Sequence, residues 1–176
     1  MDMAMELPLS MDKNIVLIGM PGAGKSTVGI LLAKRTARGF VDTDVLIEMR
    51  ECLLLQEIIE NSDYANLRRI EQEVLLDLKV NRHVVATGGS AAYHEPSMLH
   101  LKKNSVVVFL DVPFEQIERR IRNFDTRGIA CPQSMTLRDI YDERLPLYQK
   151  WADLTLACGD MDHEKVVEDL IGALEI

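Results

Sequence analysis

The sequence predicts an α/β fold in which a five-stranded parallel sheet is covered by helices on both faces, giving three layers. Five short runs are rich in β-branched and other apolar residues: 14–19, 39–44, 83–89, 105–112 and 152–158. The central runs are apolar almost throughout, as expected of strands that are covered on both faces. Segments with helical spacing separate the runs, and this alternation of strand and helix is typical of a parallel sheet.

Three of the intervening segments carry an apolar stripe at helical spacing, which predicts amphipathic helices. The stripes are Leu67, Ile70, Val74 and Leu78; Phe114, Ile117 and Ile121; and Val167, Leu170, Ile171 and Leu174. We expect one domain over residues 13–176, preceded by an extension at residues 1–12. The weakly patterned segment near 122–136, which contains Gly128, is predicted to be a mobile loop.

Composition and charge restrict the classes of partner. The chain has 176 residues and a net charge of −8, and no stretch is dominated by Lys and Arg, so we expect no nucleic-acid binding. No apolar segment approaches the ~20 residues of a membrane span. The cysteines Cys52, Cys131 and Cys158 are odd in number and far apart, which favours reduced thiols in the cytoplasm. Without a heptad seam that would demand a partner, we expect a monomer.

The clearest motif is GMPGAGKST at residues 19–27, which matches the pattern G-x-x-x-x-G-K-[ST] between a predicted strand and a predicted helix. In this pattern the backbone N–H groups surround phosphates, the lysine reaches the β- and γ-phosphates, and the hydroxyl binds Mg²⁺. We therefore predict an ATP site with Mg²⁺ on Ser26. Its nucleotide contacts are predicted to be Gly22, Ala23, Gly24, Lys25, Ser26 and Thr27. A glycine-rich turn without a ligand is the alternative.

Two acidic residues, Asp42 and Asp44, end the second predicted strand. Residues two apart in an extended strand point to the same side, and ligands of open α/β sheets bind at this carboxyl edge. We predict that Asp42 lies near Mg²⁺ and that Asp44 binds an acceptor hydroxyl and accepts its proton. The alternative is that Asp44 only caps the helix that follows.

Arg68 and Arg144 have ordinary interpretations when the residues alone are considered. Arg68 has Glu71 three positions further along a predicted helix, which favours a surface ion pair. Arg144 could lie on the surface of a helix that is kinked by Pro146.

Taken together, the motifs favour a more specific interpretation. The glycine loop, FVDTD, LRRIEQEV, ATGGS and ERLPLYQKWAD come in the order and spacing found in shikimate kinases. From about residue 13 to its C-terminus the chain therefore resembles that family. The resemblance implies a P-loop kinase fold with strand order 2-3-1-4-5. It also implies transfer of the γ-phosphoryl group of ATP to the 3-hydroxyl of shikimate, with Mg²⁺.

The resemblance also implies residue roles. Asp44 would bind the shikimate hydroxyls and orient or deprotonate the nucleophile, while Arg68 and Arg144 would bind the substrate carboxylate. Gly88 and Gly89 would bring backbone N–H groups to the ring and the phosphate. Arg127 would close on ATP from the lid, and with Lys25 and Asp44 it would complete the catalytic set.

Three departures from the family surround the acceptor. GGS at 88–90 replaces three glycines, RGIAC at 127–131 replaces an Arg-Pro-Leu lid, and Leu67 replaces a phenylalanine. Two alternatives therefore stay open. One is a related kinase with another small hydroxy-acid acceptor, such as gluconate, and the other is a nucleotide-binding module without catalysis.

Overall fold

All five predicted strands form and build a single sheet in the computed structural model, which describes residues 12–122 and 124–176. The strands are β1 Asn14–Ile18, β2 Gly39–Asp42, β3 His83–Ala86, β4 Ser105–Asp111 and β5 Leu154–Ala157. Their order is β2-β3-β1-β4-β5 and every neighbouring pair is parallel, which confirms the predicted topology. All five residues of the central strand β1 are buried, which explains its unbroken apolar run.

Helices connect the strands and cover the sheet. They are α1 Lys25–Arg35, α2 Thr43–Glu51, α3 Leu55–Asn61, α4 Tyr64–Asp77, α5 Glu95–Lys102, α6 Phe114–Arg120, α7 Leu137–Trp151 and α8 His163–Leu174. Two 3-10 turns, Ala91–Tyr93 and Phe124–Thr126, complete the described elements. The predicted stripes lie in α4, α6 and α8, except that Leu78 and Ile121 are the C-cap residues of α4 and α6.

The strand order places the helices on both faces. The chain crosses from β1 to β2 in one direction along the sheet, and from β2 through β3 and β4 to β5 in the other. Because parallel crossovers are right-handed, α1 lies on one face and the later connecting helices lie on the opposite face. The C-terminal helix α8 packs against α1. The three-layer prediction is therefore confirmed.

Apolar side chains form two separate clusters. The larger surrounds the sheet. The smaller, which we name the cap cluster, consists of Ile47, Ile58, Leu67, Ile70, Val74 and Ala130. It joins α2, α3 and α4 to the predicted lid, where Gly128 donates its N–H to Gln56 Oε1 at 2.9 Å. Packing of Ala130 in this cluster attaches the lid to one side of the molecule.

The predicted N-terminal extension lies almost wholly outside the described residues, since residues 1–11 are not part of them. Within the ranges that are described, no helix combines the length and the apolar character needed to cross a bilayer.

Candidate active site

The glycine loop lies between β1 and α1 at the carboxyl edge of the sheet. Gly22 and Gly24 have φ angles of 80° and 92°, in the left-handed region that favours glycine. Gly24 is the N-cap of α1 and no side chain caps this helix. The N-terminal N–H groups and the positive end of the helix are therefore available to an anion.

Lys25 is folded back onto the loop. Its Nζ donates to the carbonyl oxygens of Gly19 and Met20, both at 2.8 Å, and the residue is buried. Burial lowers the pKa of Lys25 to about 8, although the nearby Asp44 acts in the opposite direction. The lysine is thus held close to the phosphate loop by acceptors that a polyphosphate could replace.

A cleft of about 620 Å³ extends from this loop across the carboxyl edge of the sheet. Its lining includes the predicted site residues Gly22, Gly24, Lys25, Ser26, Thr27, Asp44, Gly88, Gly89, Arg127 and Arg144. Ala23, Asp42 and Arg68 do not line it. Ala23 is buried and donates its N–H to the Met20 carbonyl at 3.1 Å, so the structure does not bring this predicted nucleotide contact into the cleft.

The structure corrects the prediction that Asp42 and Asp44 share one side of a strand. β2 ends at Asp42 and α2 begins at Thr43, so the two carboxylates belong to different elements. Asp42 is the N-cap of α2, and its Oδ1 accepts the Asp44 N–H at 3.0 Å. Asp42 therefore satisfies the helix terminus, which leaves the Asp44 carboxylate directed into the cleft.

The Asp42 carboxylate also contacts the glycine-loop helix. Its Oδ2 accepts a hydrogen bond of 2.5 Å from the Ser26 hydroxyl in the first turn of α1. The two residues that the sequence assigned to Mg²⁺ thus lie side by side, although they come from different strand–helix connections.

Asp44 lies in an environment that opposes its negative charge. Burial raises the pKa of Asp44 to about 7, with repulsion from Glu71 and Asp42 adding to the effect and Lys25 opposing it. A Cβ at Gly88 would lie 2.7 Å from Asp44 Oδ1 and would also collide with the Glu71 carboxylate. A side chain at residue 88 would therefore displace one or both of the carboxylates that approach the strand end.

Glu71 is a functional candidate that the sequence interpretation missed. The predicted surface ion pair with Arg68 is wrong, because Glu71 is 2% exposed and accepts a hydrogen bond from the Ser90 hydroxyl. His94 Nε2 lies 3.7 Å from its Oε2. The sequence did carry a signal, since Glu71 follows Leu67 by four positions and precedes Val74 by three, on the apolar face of α4.

Arg68 and Arg144 converge on one oxygen atom. The Ala130 carbonyl accepts from Arg68 Nε at 3.1 Å, from Arg68 Nη2 at 2.9 Å and from Arg144 Nη2 at 3.1 Å. Arg144 is 1% exposed, so its interpretation as a surface residue is wrong. Two guanidinium groups therefore surround an sp² oxygen beside the cleft, an arrangement that also suits a carboxylate.

Arg127 and the two glycines complete the predicted set. Arg127 is exposed on the lid, lines the cleft, and contributes to the lowered pKa of Lys25.

The backbone groups of Gly88 and Gly89 already have partners. Gly88 donates its N–H to the Thr43 hydroxyl at 3.1 Å, whereas Gly89 accepts a 2.6 Å hydrogen bond from Tyr148 at its carbonyl. The predicted use of the Gly88 N–H by a ligand would therefore require Thr43 to release it.

Comparison with known proteins agrees with this geometry. The family model described as shikimate kinase matches residues 21–175. The shikimate kinase of Rhodopseudomonas palustris is 36% identical, over 93% of this chain and 81% of that protein. Threonine synthase-like 1 of Homo sapiens is 32% identical over 93% of this chain, but the match spans only 22% of that longer protein.

A solved structure shows the same similarity in three dimensions. The shikimate kinase from Acinetobacter baumannii in complex with shikimate superposes with a TM-score of 0.83, at 30% identity and over 93% of both chains. The fold, the glycine loop and the family match all agree. The chain therefore belongs to the shikimate kinase family, a family of ATP-dependent kinases with a hydroxyl acceptor.

Proposed function

We propose that this protein transfers the γ-phosphoryl group of ATP to the 3-hydroxyl of shikimate, a reaction of aromatic amino acid biosynthesis. The observation that carries the proposal is the convergence of Arg68 and Arg144 on one oxygen beside the phosphate-loop cleft. Two guanidinium groups that meet at one sp² oxygen match the planar carboxylate of an acceptor. The A. baumannii relative, whose structure contains shikimate, supports the choice of acid.

In this proposal Asp44 orients the acceptor hydroxyl and accepts its proton as the oxygen attacks the γ-phosphorus. A base with a pKa of about 7 is suited to this step near neutral pH. Lys25 turns from the Gly19 and Met20 carbonyls to the β- and γ-phosphates and offsets the charge that develops on them. Arg127 closes from the lid on the same phosphates. Most of the rate enhancement then comes from positioning and charge compensation.

The carboxylate of the acceptor takes the place of the Ala130 carbonyl between the two arginines. An anionic oxygen pair is a stronger acceptor for guanidinium groups than a neutral carbonyl, so this exchange is favourable. Because Ala130 belongs to the lid, acceptor binding would also release the lid from this contact. The lid could then close over ATP, which excludes water from the transfer.

Mg²⁺ is part of the proposal, and the residues fit it. The Ser26 hydroxyl and the Asp42 carboxylate are adjacent hard oxygen donors. Mg²⁺ usually takes few protein ligands and completes its shell with water and substrate phosphates. Among the described residues, no group of three or more His, Cys, Asp or Glu side chains could hold a metal ion. When bound, the ion would neutralise charge on the phosphates.

A cytoplasmic location and a monomeric state belong to the same proposal. The location is supported by the spacing of the cysteines, which suits reduced thiols. The monomeric state rests on the absence of a heptad seam in the sequence.

The deciding experiment measures ADP release from Mg-ATP with a panel of acceptors. The panel contains shikimate, quinate, gluconate, homoserine and nucleoside monophosphates. We expect turnover with shikimate at a kcat/KM far above that of the other compounds. Robust turnover of another acid without turnover of shikimate would show that the protein is a related kinase with a different hydroxy-acid acceptor. ATP binding without turnover of any acceptor would indicate a non-catalytic module.

A further inference from the structure

The ring of Tyr93 lies against the guanidinium groups of both Arg68 and Arg144. The ring centroid is 3.9 Å from Arg68 Cζ and 5.4 Å from Arg144 Cζ. Tyr64 covers Arg68 as well, with a centroid distance of 5.2 Å, but its described cation–π contact is with that arginine only. Tyr93 therefore joins two side chains that come from different helices, α4 and α7.

The two guanidinium groups need such a partner because they are like charges held close together. Both donate to the Ala130 carbonyl, and neither forms an ion pair with a carboxylate whose side chain is described. Arg144 is almost fully buried, and its Nε has no hydrogen-bond partner. Mutual repulsion and desolvation both oppose this arrangement. The negative face of an aromatic ring offsets part of that cost.

Tyr93 is itself held in place. Its hydroxyl donates to the carboxylate of Glu143, the residue before Arg144 in α7. Its backbone N–H donates to the Ser90 carbonyl at 3.1 Å, in the 3-10 turn that follows the cleft-lining residues 88–90. The orientation of the ring is thus linked both to α7 and to the acceptor side of the cleft.

We propose that Tyr93 is a positioning residue for acceptor binding, whose ring holds Arg68 and Arg144 together in the orientation that receives the substrate carboxylate. This inference rests on the proposed function. Tyr93 does not line the cleft, so it acts through the two arginines and not through contact with the acceptor.

The main test is Tyr93→Leu, which removes the ring. We expect the KM for shikimate to rise about tenfold, equivalent to about 1.4 kcal/mol, while the KM for ATP and kcat stay close to those of the unsubstituted protein. Tyr93→Phe keeps the ring and loses the hydrogen bonds of the hydroxyl to Glu143 and Arg144. Because the ring stays against both guanidinium groups, this variant should restore most of the affinity for shikimate.

Two controls separate positioning from a general structural effect. Tyr141→Leu removes a half-buried tyrosine whose ring packs on Phe114 at a centroid distance of 5.5 Å, and it should leave the shikimate KM unchanged. The neutral methyl ester of shikimate, used as a competitive inhibitor, has no carboxylate charge for the arginines. Its inhibition constant should be the same for Tyr93→Leu and the unsubstituted protein.

Three results would overturn the inference: an unchanged shikimate KM in Tyr93→Leu, no rescue by Tyr93→Phe, or an equal loss of affinity for the ester or ATP. If the unsubstituted protein turns over another acid of the panel instead of shikimate, the proposed function fails but the proposal for Tyr93 does not. The KM of the Tyr93 variants for that other acid then tests the role of Tyr93. If no acid is turned over, both proposals fail.

Discussion

Asp44 shows how position within one turn of helix determines the chemistry of a residue. The neighbouring Asp42 forms the helix cap and the contact with Ser26, while Asp44 is held beside Glu71 with a pKa of about 7. The two aspartates are equivalent by type, and their different roles follow from which one lies at the N-cap.

The raised pKa of Asp44 predicts the pH dependence of activity. We expect kcat/KM to fall below about pH 7 as Asp44 becomes protonated, and above about pH 8 as Lys25 loses its proton. Asp44→Asn should lower kcat by about 10²–10⁴-fold and abolish the acidic limb. A pH–rate profile of both proteins measures this. If kcat/KM of Asp44→Asn still fell below about pH 7, the group that titrates there would be another residue.

The raised pKa of Asp44 also predicts that stability falls with rising pH, over the range in which activity rises. Its folded-state pKa is raised above the ordinary value of about 4. Its contribution to stability is therefore fully present below about pH 4 and is lost as the pH rises through about 7. Asp44→Asn cannot ionise, so its melting temperature should exceed that of the unsubstituted protein at pH 8, with a smaller difference at pH 5. Thermal unfolding at both values tests this, and a lower melting temperature at pH 8 would contradict it.

Arg144 is expected to act on the acceptor and not on the nucleotide. Arg144→Ala leaves the acceptor carboxylate with one guanidinium in a desolvated site, which costs about 2–5 kcal/mol. The KM for shikimate should therefore rise by roughly 30-fold or more, with a much smaller change in the KM for ATP. Arg138→Ala, an exposed arginine on the same helix, is the matched control and should change neither constant. Equal effects of Arg144→Ala on both KM values would exclude a carboxylate contact.

At the scale of elements, the lid joins the two halves of the site. Arg127 faces the nucleotide side, Ala130 lies on the two arginines, and Gly128 is docked on α3 between them. Gly128 has a φ of 71°, and a Cβ there would lie 2.6 Å from Leu55 Cβ and 2.8 Å from the Gln56 backbone nitrogen. The segment is predictable as a loop from its composition, but its contacts with α3 are not.

Gly128→Ala should displace the lid. Both the left-handed backbone and the collision with α3 are unfavourable, and strained positions of this kind cost about 1–3 kcal/mol. We expect kcat/KM for ATP and for shikimate to fall together, because Arg127 and Ala130 move with the segment. Gly159→Ala is the control, since its Cβ would have nothing within 4 Å. Unchanged kinetics in Gly128→Ala would show that lid docking on α3 has no part in turnover.

At the scale of the whole molecule, the two apolar clusters divide the protein into a sheet core and a smaller cap. The cap cluster carries Arg68 and Glu71 on α4 and is closed by Ala130, whereas the sheet core carries the phosphate loop. Fewer buried side chains hold the cap, so it should open locally at a lower free energy than the sheet.

Amide hydrogen exchange tests this division. In the ligand-free protein, α2 and α3 should exchange faster than β1 and β4. Shikimate should then protect α2, α3 and α4 together, since it binds where Arg68 and Arg144 meet. Exchange of α3 at the rate of global unfolding, or protection confined to α7, would contradict a separate cap.

Much of the fold of this protein could be predicted from its sequence alone. The apolar runs and the glycine loop were sufficient for the parallel sheet and the phosphate loop, because these depend on local pattern and on short-range spacing. The strand order was implied only by the resemblance of the ordered motifs to a known family. The partners of buried charges depended on tertiary structure. Arg68 and Arg144 resemble surface residues in sequence, and only packing of α4, α7 and the lid brings them to one carbonyl oxygen beside the cleft. Burial removes water from these charges, so their neighbours in space, which no local pattern specifies, determine what they do.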